Sequence, residues 1–327
     1  DHSEPSSGDW RRGHTMSDRP NVLVLTLFSG EAEFDRCRSS LAQQDYSSWE
    51  QRVIENLPNT EAHARLYETV MAESGKFGLF FKLDADMVLA DNDVLSDLVR
   101  VFEERPDLDH LVVAVSDWMT DSRMIGAHVF SPRVRWKRHQ ETLYVDPDPE
   151  YPGCKLVVSD PPRDLIVHAG DPSPLQAFHF GAHRALQASQ VYRKLSDARP
   201  HNARIQWQCL DRVWNHYEHS GDRRLGLAIV AADMVFQKEL PATANEYSDA
   251  ALLTAFKDAE ALEDREIRER LEARWGGPEV RRRTWAKALG PAKFTLVRIR
   301  GLRDAAARAF KGLLGMSEPT VEIGTRT

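Results

Sequence analysis

Two aspartates two positions apart, Asp84 and Asp86, end an apolar run in the segment GLFFKLDADMVLADNDVL. Side chains at positions i and i+2 of an extended segment point to the same side. Two carboxylates placed together in this way form a hard-oxygen site for Mg²⁺ or Mn²⁺, and a substrate phosphate would supply further ligands. Because a carboxylate beside a buried strand is unfavourable unless its charge is compensated, the pair indicates a divalent-cation site. The alternative is that Asp84 caps a turn and Asp86 is solvated.

The segments around this pair alternate between strand and helix patterns. The stretch NVLVLTLFSGE at 21–31 begins with a continuous apolar run, which is typical of a strand buried on both faces. Further strands are predicted at 49–56, 77–84 and 110–118, and helices at 33–44, 59–75 and 92–106. This order predicts a doubly wound α/β domain with parallel strands. In such sheets ligands bind at the carboxyl ends of the strands, where the two aspartates would lie.

After Trp118 the pattern changes. A strand or hairpin is predicted at 123–137, and the proline-rich and aspartate-rich stretch 141–174 is expected to be loop with short strands. The chain is expected to become helical after Gly181, to form a helix at 203–221 and to contain one more apolar strand at 223–235. From about Ala250 it is helical and highly charged, with a single helix predicted over 252–277.

The bulk composition excludes several classes of protein. The formal net charge of the 327-residue chain is -7, so no general attraction to nucleic acid is expected. Three widely spaced cysteines, Cys37, Cys154 and Cys209, fit neither a metal knuckle nor a disulfide framework, and a reducing cytoplasm is the simplest compartment. No segment is apolar enough to span a bilayer, and the polar N-terminus does not read as a signal peptide.

The segment FFKLDADMVL resembles the DxD segment of GT-A fold glycosyltransferases, especially the family-2-like group. The stretch SSLAQQDYSSWE is similar to the end of the family's first helix, and NTEAHARLYETVMAESG resembles the helix before its DxD strand. The resemblance covers roughly 20–120 and, more loosely, 120–236. It implies a GT-A fold, which is an α/β, Rossmann-like nucleotide-binding domain with a mostly parallel central sheet, here followed by a helical C-terminal extension.

The resemblance also implies a division of the chain. A disordered tail is expected at 1–19, a GT-A catalytic domain at 20–245 and a charged helical extension at 246–327. Within the catalytic domain, 20–120 would bind the donor and 121–245 the acceptor.

The function implied by the family is metal-dependent transfer of a sugar from a nucleotide-diphosphate sugar, linked to UDP or GDP, to a hydroxyl acceptor. The acceptor would be a glycan or lipid-linked molecule in the synthesis of a bacterial surface glycan, and an inverting displacement is favoured. One alternative is a sugar nucleotidyltransferase, which FSGEAEFDR disfavours because it has a single glycine and early acidic residues. Another is a non-catalytic binding protein that keeps the fold.

The family binds its donor at the ends of the first strands. The residues to which this role is carried over are Leu27, Phe28, Ser29, Glu31, Glu55, Arg65, Lys82 and Asp84. The loop FSGE lacks the Thr/Asn-Arg of many family-2 enzymes, which leaves the identity of the base open.

A third metal ligand is expected beyond Asp84 and Asp86. GT-A enzymes often use a histidine that follows the DxD region, and His179 in FHFGAHRA is the preferred candidate. His168 and His183 are the alternatives, and each of the three could instead be a half-buried structural histidine.

Proton removal from the acceptor hydroxyl requires a carboxylate within hydrogen-bond reach. The segment IQWQCLDRVW resembles the helix that carries the family's base, so Asp211 is the predicted base, although Leu210 stands where a glutamate is common. The alternative is an ion pair between Asp211 and a nearby arginine. Asp117 is the second candidate. Trp118, Trp136 and Trp207 could stack on sugars, but packing roles are favoured for each one singly.

The C-terminal segment is basic and amphipathic. Between Arg281 and Lys311 there are ten Lys or Arg and one acidic residue. An apolar helical stripe is formed by Leu296, Ile299, Leu302, Ala306, Phe310 and Leu313. Such a helix can lie on an anionic membrane surface, which would place a cytoplasmic protein at the inner face of the membrane through 281–314. The alternative is packing on the chain's own domain or in a homodimer.

Overall fold

The computed structural model describes residues 19–138, 142–190, 193–241 and 243–313, so the predicted tail lies outside the described residues apart from Arg19. The fold is mixed α/β, as predicted. The strands are β1 Val22–Phe28, β2 Trp49–Glu55, β3 Leu79–Lys82, β4 Met87–Leu89, β5 Leu108–Asp117, β6 Ser122–Phe130, β7 Cys154–Val158 and β8 Ile166–His168. The helices are α1 Phe34–Ala42, α2 Asn59–Ala72, α3 Val94–Glu104, α4 Pro174–Ser189, α5 Pro200–Ser220, α6 Arg223–Gln237, α7 Ala250–Glu260, α8 Asp264–Trp275, α9 Pro278–Leu289 and α10 Pro291–Leu313.

The strands form one sheet in the order β2-β1-β3-β6-β5-β8-β4, with β7 paired to β5. Parallel pairs join β1 to β2 and β3, and β5 to β7 and β8. Antiparallel pairs join β6 to β3 and β5, and β4 to β8. The sheet is therefore mixed. The pair of β5 and β6 is antiparallel because β6 follows β5 through a short turn, and neighbouring strands joined by such a turn must run antiparallel.

Strand β1 lies at the centre of the parallel part of the sheet and is buried along nearly its whole length. Val22 and Val24 pack into the cluster beneath α1 and α3. Leu23, Leu25 and Leu27 belong to the opposite cluster, which includes side chains of α2. Successive residues of a strand point to opposite faces, so a strand covered on both faces is apolar at nearly every position. The exception is buried Thr26, whose hydroxyl oxygen accepts from Nε2 of Gln51 at 3.0 Å.

The helices α4 to α10 build a third hydrophobic cluster. Its centre is α6, where every residue from Leu225 to Asp233 is buried. The predicted strand at 223–235 is therefore wrong, because this apolar run is a helix. A continuous apolar run indicates burial without distinguishing a buried strand from a buried helix. Asp222 caps the helix by accepting a hydrogen bond from the Arg224 N–H.

Helix α4 packs closely against α6. A Cβ placed on Gly181 would lie 1.8 Å from the carbonyl oxygen of Ala228, so the two backbones touch at this glycine. The predicted start of this helix after Gly181 is wrong, because α4 begins at Pro174 with a capping box formed by Ser173 and Gln176.

The helix predicted over 252–277 is two helices, α7 and α8, with a second capping box at Glu263 and Glu266 between them. The boundary at 245/246 stays a prediction. Side chains from both sides of it share one hydrophobic cluster.

Candidate active site

A cleft of about 410 Å³ opens at the carboxyl ends of β1, β3, β5 and β8. The segments that follow these strands form one wall. Helix α4, the starts of α2 and α5 and the stretches 144–146 and 245–247 contribute the rest. Ligands of open α/β sheets bind at this edge. The cleft therefore lies at the edge of the sheet where a functional site is expected.

Asp84 lies just beyond the end of β3. The backbone continues beside β1 here, since the Leu83 and Ala85 N–H groups donate to the carbonyl oxygens of Leu25 and Leu27. Oδ2 of Asp84 accepts from Nζ of Lys82 at 3.0 Å. Its other oxygen, Oδ1, is buried and has no hydrogen-bond partner within the described part of the chain. A buried carboxylate oxygen without a donor is suited to an incoming cation or proton donor.

Lys82 also lies 3.6 Å from Oδ2 of Asp146, which belongs to the loop between β6 and β7. Oδ1 of Asp146 accepts from the Tyr67 hydroxyl at 2.5 Å and lies 3.4 Å from Nε2 of His63. Burial alone would raise the pKa of Asp146, but Lys82 and His63 hold it well below its usual value. Burial would lower the pKa of Lys82, but Asp146 and Asp84 raise it, so the ammonium stays charged.

Asp86 faces a second internal cation. Its Oδ2 lies 3.4 Å from Nε2 of His168, and Nδ1 of His168 donates to Oδ1 of Asp117 at 2.6 Å. Burial disfavours the charged imidazole, but Asp86 and Asp117 together raise the pKa of His168 to about 9. The pKa of Asp86 is raised by burial and by the negative charges of Asp84 and Glu33, while His168 opposes the shift.

Asp117 is fully buried and orients the ring of His168 through the hydrogen bond at Nδ1. Burial alone would raise its pKa, but hydrogen bonds from His168 and Thr120 lower it. The Thr120 N–H donates to Oδ2 of Asp117 at 2.8 Å. A charged carboxylate therefore stabilises the charged ring of His168 and fixes its direction.

The backbone beside His168 is strained. Ala169 has a φ of 48°, in the left-handed region that non-glycine residues rarely adopt. Its N–H donates to the carbonyl oxygen of Asp86 at 2.9 Å, and the Trp118 N–H donates to the carbonyl oxygen of His168 at 3.1 Å. These bonds hold the end of β8 between the segments that follow β3 and β5. Strain of this kind persists where the surrounding structure over-determines a conformation.

The loop after β1 brings Glu31 to the cleft. Oε2 of Glu31 accepts from the Ser29 N–H at 2.7 Å. Burial raises its pKa to about 7, with the Ser29 hydrogen bond opposing and the charges of Asp86 and Asp84 adding to the rise. The loop is anchored by buried Glu33, which accepts from Nε2 of Gln176 at 2.9 Å.

The far wall of the cleft carries two histidines of α4. Nε2 of His179 donates to the carbonyl oxygen of Asn245 at 3.0 Å, and the ring stacks on Tyr247 at 4.0 Å. His183 lies 2.7 Å from Oδ1 of Asn245. Burial lowers the pKa of both, that of His183 to about 3, so both rings are neutral near pH 7.

The structure brings together most of the residues to which donor and metal binding were carried over. Those lining the cleft are Leu27, Ser29, Glu31, Lys82, Asp84, Asp86 and His179, together with His168 and His183. Phe28, Glu55, Arg65, Asp117 and Asp211 do not line it. Phe28 stacks on Phe34 at 4.2 Å, and Glu55 pairs with Phe28 at the end of β2. His168 rather than His179 lies beside Asp86.

Asp211 is held in an ion pair. Its Oδ1 accepts from Nε of Arg281 on α9 at 2.7 Å. The arginine that pairs with it comes from 70 positions further along the chain, so the neighbouring residues could not reveal the contact.

The three tryptophans proposed for sugar stacking have packing contacts. Trp136 stacks on Tyr67 at 4.8 Å, and Trp207 stacks on Trp285 at 4.9 Å. The Arg224 guanidinium lies 4.4 Å from the ring centre of Trp118. None of the three lines the cleft.

Sequence reasoning missed His63, Tyr67, Asp146 and Arg184. Asp146 lies in a loop rich in proline and aspartate, and no local signal marks its contact with Lys82. The Ser173-Pro-Leu-Gln176 pattern did contain a signal, because S-x-x-Q is a capping box. This signal predicts a helix that begins before His179 and continues to Arg184, which lines the cleft.

Two features are absent from the described residues. No group of three or more His, Cys, Asp or Glu side chains is arranged there to hold a metal ion. No helix in the same ranges is long and apolar enough to cross a membrane.

No protein-family model matches the chain, and no curated protein sequence matches it. Among solved structures, the chain is similar to the mannosyltransferase PcManGT from Pyrobaculum calidifontis in complex with GDP-Man and Mn²⁺. The identity is 15%, the match covers 89% of this chain and 90% of that one, and the TM-score is 0.35. A TM-score of this size is too low for the likeness to bear on what this chain binds or does.

Proposed function

We propose that this chain is a metal-dependent glycosyltransferase that moves a sugar from a nucleotide-diphosphate sugar to a hydroxyl acceptor. The observation that carries the proposal is the placement of Asp84 and Asp86 in one cleft at the end of β3, with Oδ1 of Asp84 buried and without a donor among the described residues. The DxD resemblance supports the same reading. We further propose a glycan or lipid-linked acceptor in bacterial surface glycan synthesis.

The side chains present fit a hard divalent cation. Asp84 and Asp86 would hold Mg²⁺ or Mn²⁺ through carboxylate oxygens, the ligand type that both ions prefer. Two protein carboxylates leave coordination positions for phosphate oxygens, which agrees with the lack of a larger ligand cluster in the described residues. A cation bound there supplies positive charge against the departing diphosphate.

Two protein cations flank the same position. Lys82 lies 3.0 Å from Asp84, and His168 lies 3.4 Å from Asp86. Each offsets the charge of one aspartate, and each can donate a hydrogen bond to a phosphate oxygen of a bound donor. The reaction we propose is a single displacement with inversion. The acceptor oxygen attacks the anomeric carbon while the bond from that carbon to the diphosphate oxygen breaks.

The acceptor proton must pass to a carboxylate in the cleft. Asp211 holds Arg281 and does not line the cleft, whereas Glu31 does line it. The pKa of Glu31, which burial raises to about 7, suits a group that accepts a proton near neutral pH. We therefore assign the role of proton acceptor to Glu31 and not to Asp211.

The proposal is tested by thermal unfolding with a panel of nucleoside diphosphates, each with and without Mn²⁺. A nucleotide at about 100 times its Kd should stabilise the fold by about 2.7 kcal/mol, which corresponds to roughly 4 °C for a chain of this size. The shift should require Mn²⁺ and should disappear in Asp86→Asn.

The matched control is Asp160→Asn, which changes an exposed aspartate that pairs with Arg123. It should keep the full shift. The absence of a metal-dependent shift with every nucleotide would reject a glycosyltransferase role for this site.

A further inference from the structure

Helix α10 carries an outward apolar face. Leu296, Ile299 and Leu302 repeat every three residues and are 36%, 49% and 71% exposed. Residues at this spacing lie along one side of a helix. Large apolar side chains exposed in a row on one helix are a feature of interaction surfaces.

The opposite side of α10 is already packed. Val297 is 4% exposed and belongs to the helical cluster, and the Phe294 ring lies 5.5 Å from that of Trp285. Gly301 faces Arg204 of α5, whose Cδ would lie 3.7 Å from an added Cβ. The exposed face is therefore not the side by which the helix attaches to its own fold.

The surroundings of this face are strongly basic. From 281 to 303 the sequence has eight basic residues and no acidic residue, although the whole chain has a net charge of -7. Those residues are Arg281, Arg282, Arg283, Lys287, Lys293, Arg298, Arg300 and Arg303. Arg281 is buried against Asp211 and Arg282 pairs with Glu279, so these two add little to the charge of the surface. Arg298 and Arg303 lie on α10 itself and are exposed. Positive charge is concentrated on one part of an acidic protein.

We propose that α10 docks on an anionic lipid surface, with Leu296, Ile299 and Leu302 entering the boundary between headgroups and acyl chains. Apolar side chains flanked by arginines match a surface that is anionic outside and apolar beneath. A second copy of the chain fits less well. Within the described residues the face offers three partly exposed apolar side chains, far short of the roughly 800 Å² per partner that a stable interface buries.

Docking through α10 would also orient the cleft. Nζ of Lys293, in the first turn of α10, donates to the carbonyl oxygen of Gln190 at 2.7 Å. Gln190 in turn holds the backbone of Arg199, which lines the cleft. The docking surface and this end of the cleft are thus connected through two residues. The docking proposal does not depend on the proposed function.

The test is co-sedimentation of the full chain with phosphatidylcholine vesicles that contain or lack phosphatidylglycerol, at low and high salt. The chain should sediment with the anionic vesicles alone, and high salt should weaken the binding. Arg298→Gln/Arg303→Gln should weaken partition roughly 30-fold, because each basic residue near an anionic surface contributes about fivefold. Ile299→Gln/Leu302→Gln should weaken it at least about tenfold.

Two matched variants control for charge and polarity. Arg36→Gln/Lys257→Gln removes the same charge from the exposed faces of α1 and α7, and Ile125→Gln/Val157→Gln removes exposed apolar side chains from β6 and β7. Both should bind like the unmodified chain, and all four variants should keep its melting temperature.

No binding to anionic vesicles at low salt would overturn the proposal. Equal binding by the α10 variants and the controls would also overturn it. A dimer that is lost in Ile299→Gln/Leu302→Gln would assign the face to a second copy instead.

Discussion

Lys82 and Asp84 lie two residues apart at the end of β3, with Nζ of the lysine 3.0 Å from Oδ2 of the aspartate. His168 lies beside Asp86 in a similar way, with Nε2 of the histidine 3.4 Å from Oδ2 of the aspartate. Each aspartate of the DxD segment therefore has a cation of the protein beside it. This explains how two carboxylates are tolerated at the end of a buried strand, since their charge is offset before any ligand binds.

The first prediction concerns the lysine. Lys82→Met keeps most of the side-chain volume but leaves Asp84 and Asp146 without their shared ammonium. We expect a loss of about 2 kcal/mol in the free energy of unfolding, below the 3 to 5 kcal/mol of a fully buried pair because both aspartates are partly exposed. Urea denaturation without metal measures it. Lys76→Met, whose lysine is 71% exposed, should change stability by less than about 0.5 kcal/mol.

A second prediction concerns the pH dependence of transfer. If Glu31 accepts the proton, its carboxylate form is the active one, so kcat/KM should rise with pH through its pKa. This pKa should lie between the ordinary 4.5 and about 7, because a cation at the aspartates would offset part of the rise. Glu31→Gln should abolish the acidic limb. The same limb in Glu31→Gln as in an exposed control, Glu61→Gln, would assign the proton to another group.

A third prediction concerns stability at low pH. His110 and His128 lie 3.0 Å apart across β5 and β6, and burial lowers their pKa values to about 3 and about 4. In the unfolded chain these two histidines take up protons as the pH falls below about 6.5. In the folded chain they stay neutral until the pH approaches 4. The contribution of this pair to the free energy of unfolding should therefore be constant above pH 6.5 and fall below it, by about 2 kcal/mol for one such histidine at pH 5.

Denaturation at a series of pH values tests this expectation. His110→Gln/His128→Gln should flatten the slope between pH 6.5 and about 4. His219→Gln, which changes an exposed histidine, should leave the slope as it is. An unchanged slope in the double variant would show that the pair resists protonation less than its burial implies.

A fourth prediction concerns the helical layer. Gly181→Ala places a methyl group 1.8 Å from the Ala228 carbonyl oxygen. The helices must move apart, and we expect a loss of about 3 kcal/mol in the free energy of unfolding. Gly75→Ala is the matched control, because nothing lies within 4 Å of its Cβ position. Equal stability of the two variants would contradict the close contact of α4 and α6.

Much of the first half of the fold follows from the sequence. Apolar runs and helical spacing predicted β1, β2, β3, β5 and the helices between them, because these segments are long and regularly patterned. The position of β6 between β3 and β5 could not be predicted, since tertiary packing and not local pattern decides which strands become neighbours. The segment of α6 was predicted as a strand, because a helix that is buried on all sides has no polar face and its sequence lacks the helical alternation of apolar and polar residues.

The site shows the same division. The aspartates could be placed because they directly follow a buried strand, and the loop after β1 could be placed in the same way. Asp146 and His63 could not be placed. Asp146 lies beside Lys82, and His63 lies beside Asp146, but these residues are far apart in the sequence and no local pattern marks the contacts. Asp211 was placed at the site by its local pattern, whereas Arg281 holds it elsewhere.

The most direct test of the central claim is the amount of Mn²⁺ bound at equilibrium, read from the electron paramagnetic resonance signal of the free ion. With the correct nucleoside diphosphate present, we expect one Mn²⁺ per chain. Asp84→Asn/Asp86→Asn should bind none, and Asp160→Asn should bind the full amount. Equal binding by the unmodified chain and the double variant, or no binding by either with any nucleotide, would contradict a cation and diphosphate site at Asp84 and Asp86.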